Sequence, residues 1–305
     1  MKAVRKAITQ TLLTLAKNDP SIFALATDSS GSVTLDDFAK TLPQQFVECG
    51  IAEQDAIGIA AGLASTGLRP FACGPACFYA TRAAEQIKVD VAYSRMNVKV
   101  LGVSGGVSYG ALGSTHHAVQ DIAFFRAVPG LQVILPSDAN SAVALTRELA
   151  VSNDPAYIRV GRGEVEDIYS KDVNVEIGKA LIVYEGTDLA IIACGEMVYS
   201  AKKAAEELHT EGVSALVVDM HTIKPLDYAA IDRAITTGKI ITVEEHSIFG
   251  GLGSAVAEYV CQKQPIPMRL MGLPDEALFS GASKEVFAHY GLTPEGIVKT
   301  ARELL

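Results

Sequence analysis

Short apolar runs alternate with helix-like stretches along almost the whole chain. The apolar runs are continuous, which is typical of parallel strands covered on both faces of a sheet. The predicted strands are residues 22–27, 46–49, 70–74, 98–103, 131–135, 156–160, 179–184, 189–193, 214–219, 239–244 and 268–273. The predicted helices include residues 53–65, 80–94, 139–152, 197–210, 228–236, 254–262, 283–290 and 293–304. This alternation predicts two consecutive three-layer α/β domains with mainly parallel sheets.

The alternation breaks once, in a charged and weakly apolar segment at residues 163–176. A chain of 305 residues has room for roughly two ordinary domains, each with its own core. We therefore predict a first domain at residues 1–163, a linker at 164–178 and a second domain at 179–305.

Charge and apolar content exclude several classes of protein. The 35 acidic and 26 basic residues give a net charge of −9, which argues against nucleic acids or anionic membranes as partners. The longest apolar stretches, such as residues 188–194, are far shorter than the roughly 20 residues that span a bilayer. The five cysteines form no disulfide or zinc pattern, so we expect free thiols in a reducing cytoplasm.

Residues 48–54 join a short predicted strand to a long predicted helix and place Glu53 in its first turn. A carboxylate is stabilised there by the partial positive charge of the helix end. Residues 56–64 are all small or apolar, which predicts a helix buried on every side against a core or another subunit. Glu53 is then either an ordinary helix-start acid or a proton-transfer group.

Residues 104–117 form a glycine-rich loop that ends in His116 and His117. The loop follows a predicted strand, so it lies at the carboxyl edge of the sheet, where open α/β sheets bind ligands. Adjacent histidine side chains diverge, which disfavours a shared metal and favours one imidazole facing a substrate. A flexible surface loop with solvated histidines is the alternative interpretation.

A second glycine-rich stretch, at residues 244–254, leads into a predicted helix. It lacks the Lys-Ser/Thr of a nucleotide P-loop and the spacing of a dinucleotide fingerprint. We therefore interpret it as a structural turn or a contact between subunits.

Taken together and in order, these stretches resemble the transketolase family. The matching motifs are Gly-Ile-Ala-Glu-Gln at 50–54, an aromatic pair at 78–79, Gly-Ser-Thr-His-His-Ala-Val-Gln-Asp at 113–121, Leu-Pro-Ser-Asp-Ala-Asn at 135–140 and Glu-Glu-His with Gly-Gly-Leu-Gly at 244–253. The resemblance covers essentially the whole chain. It implies a pyrimidine-binding domain and a transketolase C-terminal domain of an enzyme that depends on thiamine diphosphate.

The family's Gly-Asp-Gly motif, which with a following Asn holds the metal and the cofactor diphosphate, is absent from this sequence. The chain also begins where the pyrimidine-binding domain should begin. The resemblance therefore implies the C-terminal subunit of a split transketolase, in an α2β2 assembly with an N-terminal diphosphate-binding subunit. Mg²⁺ or Ca²⁺ is expected, with its ligands on that partner.

The resemblance also assigns roles to individual residues. Glu53 matches the glutamate that hydrogen-bonds the cofactor's aminopyrimidine ring, and Phe78 or Tyr79 matches the aromatic residue that stacks on it. His116 matches a substrate-facing histidine, and Arg162 matches an arginine that grips the terminal phosphate or sulfonate of the sugar. Asp28 matches a cofactor-binding residue of the family. When the sequences are aligned at Asp28, Arg5 and Ser32 match two further residues that contact the anion.

Two positions depart from the family pattern. Ser104 stands where transketolases carry a substrate-facing histidine, and Leu112 replaces an aspartate that reads a sugar hydroxyl. An apolar side chain accepts no hydrogen bond, and an unpaired hydroxyl costs about 1–3 kcal/mol. We therefore expect a branched, deoxy or sulfonated donor ketose rather than an ordinary pentulose or hexulose phosphate.

Three other functions remain open from the sequence. A 2-oxoacid dehydrogenase β subunit has the same two domains, although the motifs at residues 113–116 and 159–162 resemble sugar-handling enzymes more closely. A 1-deoxyxylulose 5-phosphate synthase-like enzyme shares the motif at residues 50–54. A regulatory subunit without chemistry is disfavoured because Glu53, Phe78 and His116 are all present.

Overall fold

Each half of the chain builds its own mainly parallel sheet. The structure, a computed structural model, describes residues 2–305. In chain order the strands are β1 (Lys2–Ala3), β2 (Ile22–Ala26), β3 (Phe46–Glu48), β4 (Arg69–Pro75), β5 (Lys99–Val103), β6 (Gln132–Ile134), β7 (Ala156–Val160), β8 (Glu164–Val165), β9 (Leu181–Tyr184), β10 (Leu189–Ala193), β11 (Ala215–Asp219), β12 (Thr222–Lys224), β13 (Ile240–Ser247) and β14 (Met268–Leu273).

Helices connect most of these strands. They are α1 (Val4–Ala16), α2 (Asp36–Thr41), α3 (Glu53–Ser65), α4 (Ala76–Thr81), α5 (Ala84–Gln86), α6 (Asp121–Ala127), α7 (Ala139–Val151), α8 (Met197–Thr210), α9 (Tyr228–Ile235), α10 (Leu252–Lys263), α11 (Ser283–His289) and α12 (Pro294–Leu304). A π-helical segment at Ile87–Tyr93 and 3₁₀ segments at Pro43–Gln45 and Gly110–Thr115 complete the described chain.

The first sheet has seven strands in the order β12-β6-β7-β5-β4-β2-β3, and the second has five in the order β14-β13-β10-β11-β9. Each sheet has one antiparallel pair, β12 with β6 and β11 with β9. The remaining pairs within these two sheets are parallel, and β1 and β8 form a separate antiparallel pair. The predicted fold class is therefore confirmed: two α/β domains with mostly parallel sheets.

Buried side chains cover both faces of each sheet, as continuous apolar strands require. One hydrophobic cluster combines both halves of the chain, because Phe125 of α6 and Leu252 of α10 belong to the same core. Another contains Val107 and Val119 of the first half among side chains of the second sheet and its helices. The two halves are thus joined by apolar contacts as well as by β12.

Three local predictions differ from the structure. The helix expected at residues 80–94 is interrupted at Ala83, where φ is −108° and ψ is 14°, and it starts earlier, after Pro75. The short strand β12 belongs to the second half of the sequence but pairs with β6 in the first sheet. A strand of three residues carries no sequence signal that would predict this pairing. The predicted burial of helix α3 on every side is incomplete within this chain, since Ile59 is 41% exposed, so it would require the other subunit that the prediction named.

Candidate active site

The polar residues singled out in the first half follow the carboxyl ends of neighbouring parallel strands. Ser32 follows β2, Glu53 follows β3, Phe78 follows β4, the loop at residues 104–117 follows β5, and Arg162 follows β7. Carboxyl ends of parallel strands share one edge of a sheet, which is where such sheets bind ligands. Because these strands are adjacent, in the order β7-β5-β4-β2-β3, the fold brings the five elements together.

Glu53, Phe78 and Arg82 form what we call the carboxylate end of the site. Glu53 is the first residue of α3 and is only 5% exposed. Nη1 of Arg82 contacts both carboxylate oxygens of Glu53, at 3.1 and 3.2 Å. The guanidinium carbon of Arg82 also lies 3.9 Å from the centroid of the Phe78 ring. A buried carboxylate, a cation and an aromatic face therefore meet beside an open cleft of about 570 Å³.

His116 lies next to this end and continues the site along the sheet edge. Its ring packs edge-to-face against Phe78, with centroids 5.5 Å apart, and against Tyr109 on another side, at 5.4 Å. The Thr115 hydroxyl lies 2.9 Å from Nδ1 of His116, which leaves Nε2 available for a ligand.

His117 has a different role from its neighbour. It is buried, and its Nε2 lies 3.1 Å from the carbonyl oxygen of Gly110. This contact joins the end of the loop at residues 104–117 to its middle. The two imidazoles diverge as the sequence predicted. Within residues 2–305, no group of three or more His, Cys, Asp or Glu side chains is placed to hold a metal ion.

Arg5, Ser32 and Arg162 form the opposite, arginine end. The antiparallel pairing of β1 with β8 brings the start of α1 beside Arg162. Nη1 of Arg5 donates to the Ser32 carbonyl oxygen, and Nη1 of Arg162 donates to Ser32 Oγ at 2.8 Å. Burial lowers the pKa of Arg5, and the nearby Arg162 lowers that pKa further.

In the part of the chain that the structure describes, no carboxylate balances the two cations of the arginine end. Within residues 2–305, neither Arg5 nor Arg162 forms an ion pair, and Nε of Arg5 is shielded from solvent without a hydrogen-bond partner. Two guanidinium groups held close together repel each other. This arrangement suits an anion that accepts hydrogen bonds from both.

Four predicted site residues lie outside these contacts. Tyr79 is fully buried in the core, with its ring against Gly74, so the structure favours Phe78 as the ring presented to the site. Ser104 is also fully buried and does not face the cleft. Asp28 is exposed and donates its backbone N–H to Glu48 at 2.7 Å. Leu112 is 55% exposed on the surface of the loop.

Two residues of the site were not singled out from the sequence. Arg82 lies four residues after Phe78, a spacing that brings side chains together at the end of a helix. That spacing is a usable signal, although a common one. Tyr109 is the aromatic residue of the loop at 104–117, and its contacts with the arginine end depend on how that loop folds.

The second domain contacts the loop at residues 104–117 and fixes its position. The Glu245 carboxylate accepts a hydrogen bond from the Val107 N–H at 2.7 Å, and the Ser283 hydroxyl donates to the Val107 carbonyl oxygen at 3.1 Å. Gly110, with φ of +34°, packs directly on the Gly281 carbonyl, where a Cβ would clash. The loop is therefore fixed by backbone contacts with the second half of the chain.

A buried ion network supports the same contact. Arg159 donates to Asp121 at 3.1 Å and to the Glu245 carbonyl oxygen at 2.6 Å, and Tyr157 donates to Asp121 at 2.7 Å. Burial raises the pKa values of Glu196 and Glu245 well above the usual carboxyl range, while the charge of Arg159 opposes that rise. The network joins β7 to the second sheet through charges shielded from water.

Within the stretch at residues 244–254, residues 248–251 form the turn between β13 and α10, as the first of its two interpretations predicted. The Glu244 carboxylate accepts hydrogen bonds from the N–H groups of Leu252 and Gly253, at 2.7 and 2.8 Å, at the start of α10. Gly251 has no room for a Cβ beside that carboxylate. The helix end is thus occupied by a side chain of the protein itself.

The chain matches two family models that together cover most of its length. Transketolase, pyrimidine binding domain, matches residues 1–167, and transketolase, C-terminal domain, matches residues 178–297. In residues 2–305 we find no helix with both the length and the apolar content needed to cross a membrane.

Known relatives agree with these models along their full length. The chain is 56% identical to one of the subunits of the apulose-4-phosphate transketolase of Phocaeicola vulgatus, covering 100% of this chain and 98% of that protein. It is 35% identical to the 6-deoxy-6-sulfo-D-fructose transketolase subunit SqwH of a Clostridium species, covering 99% and 94%.

A solved structure gives the same result in three dimensions. It is described as a split gene transketolase, inactive beta4 tetramer, and it matches with a TM-score of 0.93 at 37% identity, covering 100% of this chain and 99% of that one. The chain therefore belongs to the transketolase family, where it corresponds to the pyrimidine-binding and C-terminal domains of a split transketolase.

Proposed function

We propose that this chain, with a partner subunit that carries the diphosphate-binding domain, moves a two-carbon ketol unit from a ketose to an aldose. One observation carries the proposal: a buried carboxylate beside an aromatic face lies at one sheet edge with two arginines that have no carboxylate partner within residues 2–305, and His116 lies between them. A ketol transfer that uses thiamine diphosphate needs a carboxylate at the cofactor and cations for the sugar's terminal anion.

The residues of the carboxylate end fit thiamine diphosphate. The buried Glu53 carboxylate is suited to hydrogen-bond the aminopyrimidine ring, and the half-buried Phe78 ring offers a face for stacking. Arg82, a planar group with N–H donors, meets both of these residues in the structure, so it must leave them for the ring to bind. When bound, thiamine diphosphate supplies the nucleophilic carbon and the electron sink for carbon–carbon cleavage.

The chain's own side chains bind and orient the cofactor ring and the donor sugar. The Glu53 carboxylate, which is shielded from water, would hold the pyrimidine ring by a hydrogen bond and would be the group that holds a proton there. His116 donates to, or accepts from, an oxygen atom of the donor sugar. Arg162, Arg5 and Ser32 hold the terminal anion, where two guanidinium groups provide charge-assisted hydrogen bonds. Asp28 is proposed as a cofactor-side residue on the family resemblance alone.

The donor ketose is proposed to be an unusual one that carries phosphate or sulfonate. Leu112 is exposed on the loop and has no atom to accept a hydrogen bond from a sugar hydroxyl. The names of the two relatives, which specify apulose 4-phosphate and 6-deoxy-6-sulfo-fructose, support a branched, deoxy or sulfonated donor. Xylulose 5-phosphate and fructose 6-phosphate should accordingly be poor donors.

Assembly, metal and location complete the proposal. We infer an α2β2 enzyme with each site at a boundary between subunits, and the exposed face of α3 around Ile59 is suited to such a contact. Mg²⁺, or Ca²⁺ in its place, would be held by the partner subunit. The five cysteines are free and the charge is acidic, which supports a cytoplasmic enzyme without nucleic-acid or membrane partners.

The test begins with capture of the chain from its native extract and identification of the protein that co-purifies. The complex, loaded with thiamine diphosphate and Mg²⁺, is assayed with phosphorylated and sulfonated ketoses, including branched and deoxy forms, and with pyruvate as donor. We expect ketol transfer from an unusual ketose. A lipoyl-bearing acyltransferase as the partner, or turnover of pyruvate, would instead assign the chain to 2-oxoacid dehydrogenases or 1-deoxyxylulose 5-phosphate synthases.

Glu53→Gln tests the carboxylate directly. We expect a loss of at least about 100-fold in kcat, because a proton-transfer group typically contributes 10²–10⁴-fold, with the complex intact by size-exclusion chromatography. Glu303→Gln, the same change at an exposed position on α12, is the matched control and should keep full activity. Unchanged turnover in Glu53→Gln would contradict the assignment.

A further inference from the structure

We propose that Tyr109 is a substrate contact, whose hydroxyl donates a hydrogen bond to the terminal phosphate or sulfonate of the donor ketose. This inference deepens the proposed function and depends on it. It adds a fourth donor group to the arginine end and connects that end to His116.

The position of the hydroxyl is the first observation. Tyr109 Oη lies 3.3 Å from Ser32 Oγ, the atom that also accepts the hydrogen bond from Arg162 at 2.8 Å. The guanidinium carbon of Arg162 lies 5.3 Å from the centroid of the Tyr109 ring. One phenol hydroxyl, one serine hydroxyl and a guanidinium therefore converge within reach of a single tetrahedral anion.

The Tyr109 proton is also free to be donated. A distance of 3.3 Å is long for a hydrogen bond between two hydroxyls, which usually measure about 2.7–2.8 Å. The contact with Ser32 thus satisfies the phenol only weakly. A phosphate or sulfonate oxygen, which accepts charge-assisted hydrogen bonds at shorter distances, would be a better partner.

The charge of the surroundings selects an anion as that partner. Arg5 and Arg162 have no carboxylate within residues 2–305, and Nε of Arg5 is shielded from solvent without an acceptor. The three oxygens of a phosphate or sulfonate would give acceptors to both arginines, to Ser32 and to Tyr109. A neutral end of a sugar would leave the two cations unbalanced.

The Tyr109 ring also sets the distance between the anion site and His116. It packs edge-to-face on His116 at 5.4 Å, so the anion site and the imidazole are held by one rigid side chain. The backbone next to it is fixed by the second domain, through the contacts of Val107 with Glu245 and Ser283. A donor ketose must therefore span a fixed length between its terminal anion and His116, which makes Tyr109 a residue that determines specificity.

The experiment compares Tyr109→Phe with wild type in the assembled, cofactor-loaded complex. Kinetics are measured with the ketose that the wild-type enzyme uses and with the same sugar lacking its phosphate or sulfonate. We expect the KM of the anionic donor to rise about tenfold in Tyr109→Phe, as for loss of one hydrogen bond to a charged group. Its kcat should stay within about twofold, and the neutral sugar should be unaffected.

A second readout does not need turnover. Binding of inorganic phosphate to the complex, measured by calorimetry, should weaken by a similar factor in Tyr109→Phe. Tyr228→Phe, the same change at an exposed ring that packs on Tyr259 in the second domain, is the control and should alter neither value.

The outcomes separate this inference from the proposed function. If Arg162→Met raises the KM of the anionic donor while Tyr109→Phe does not, Tyr109 is no anion contact and the transketolase assignment stands. If Tyr109→Phe lowers kcat equally for both sugars, the residue acts on His116 and the inference is wrong. If the wild-type complex transfers no ketol unit, the proposed function fails, and phosphate binding by itself decides whether Tyr109 contacts anions.

Discussion

The two ends of the site balance their charges in opposite ways. At the carboxylate end, Arg82 satisfies Glu53 with two contacts and covers the Phe78 ring. At the arginine end, Arg5 and Arg162 lie together with hydroxyl and carbonyl oxygens of Ser32 as acceptors, and within residues 2–305 no carboxylate pairs with them. Both ends lie at the same edge of the first sheet, so the difference comes from which side chains the fold brings together there.

This difference indicates how each end should respond to its ligand. A ligand at the carboxylate end must compete with a side chain of the protein, which lowers its net affinity. An anion at the arginine end instead relieves repulsion between two cations, so its charge adds to its affinity. We therefore expect substitutions of arginine to have opposite signs at the two ends.

Arg162→Met should produce the larger effect. It removes a cation and a hydrogen-bond donor from the arginine end, and hydrogen bonds to charged groups contribute about 1.5–3 kcal/mol, or roughly 10–150-fold. We expect kcat/KM for an anionic donor to fall by that factor in steady-state kinetics of the complex. The affinity for thiamine diphosphate should be unchanged.

Arg147→Met, at an exposed position on α7, is the control for the loss of an arginine as such. The comparison between the two ends would be broken if Arg162→Met left the KM of the anionic donor unchanged and weakened cofactor binding instead.

Arg82→Gln should have a smaller effect of the opposite sign. Because ion pairs that are partly exposed contribute about 0.2–1 kcal/mol, removing the competitor should tighten thiamine diphosphate binding by roughly 1.4- to fivefold. Calorimetric titration of the apo complex with the cofactor measures this, and donor KM values should not move. Arg82→Lys, which keeps the charge without the planar group, should lie between the two.

Weaker cofactor binding in Arg82→Gln would show that Arg82 helps to hold the cofactor. The two ends would then no longer differ in the way that we describe.

A third region, away from both ends, should contribute to the pH dependence of stability. Burial raises the pKa of Asp219 to about 7, although its hydrogen bonds from Ser137 and Tyr169 oppose that rise. The folded state then holds a proton that the unfolded state releases near pH 4, so stability should fall as the pH rises from about 4 to 7. The loss is on the order of 4 kcal/mol, since each unit of pKa shift corresponds to about 1.4 kcal/mol.

Asp219→Asn should reduce the slope of that pH dependence, measured as urea unfolding of the chain between pH 5 and pH 8, while the raised pKa values of Glu196 and Glu245 maintain the remainder. The exposed Asp172→Asn serves as control and should leave the wild-type slope unchanged. A slope that stays the same in Asp219→Asn would show that the proton is bound elsewhere.

The elements with the clearest sequence signals were predicted closely. The predicted bounds are confirmed for two strands, 189–193 and 268–273, and for two helices, 53–65 and 197–210. Apolar runs and helical periodicity are local properties of the chain, which is why the sequence indicates them. The grouping of Arg5, Ser32 and Arg162 was expected from the family resemblance, and the structure brings these side chains together. The domain bounds at residues 163 and 179 stay a prediction.

The candidate site was harder to predict where it depends on distant contacts. Tyr79 and Phe78 are neighbours in sequence, and the direction in which α4 buries one ring and exposes the other is set by its packing. Arg82 and Tyr109 acquire their partners only when the strands of the first sheet lie in the order β7-β5-β4-β2-β3. Ser104 has no exposed surface and its backbone has a φ of +61°, neither of which a single position in the sequence indicates.

The sequence by itself determined the α/β architecture, the family and the chemical groups available at one sheet edge, since these depend on local periodicity and on motifs in a fixed order. Only the tertiary structure decided how those groups are paired. Arg82, which balances the charge of Glu53, is 29 residues away in the sequence, and Glu245, which holds the loop bearing His116, is 138 residues from its partner Val107. Arg5 and Arg162 meet at Ser32, with no carboxylate partner within residues 2–305. Such pairings depend on distances in space, and spacing along the chain does not contain them.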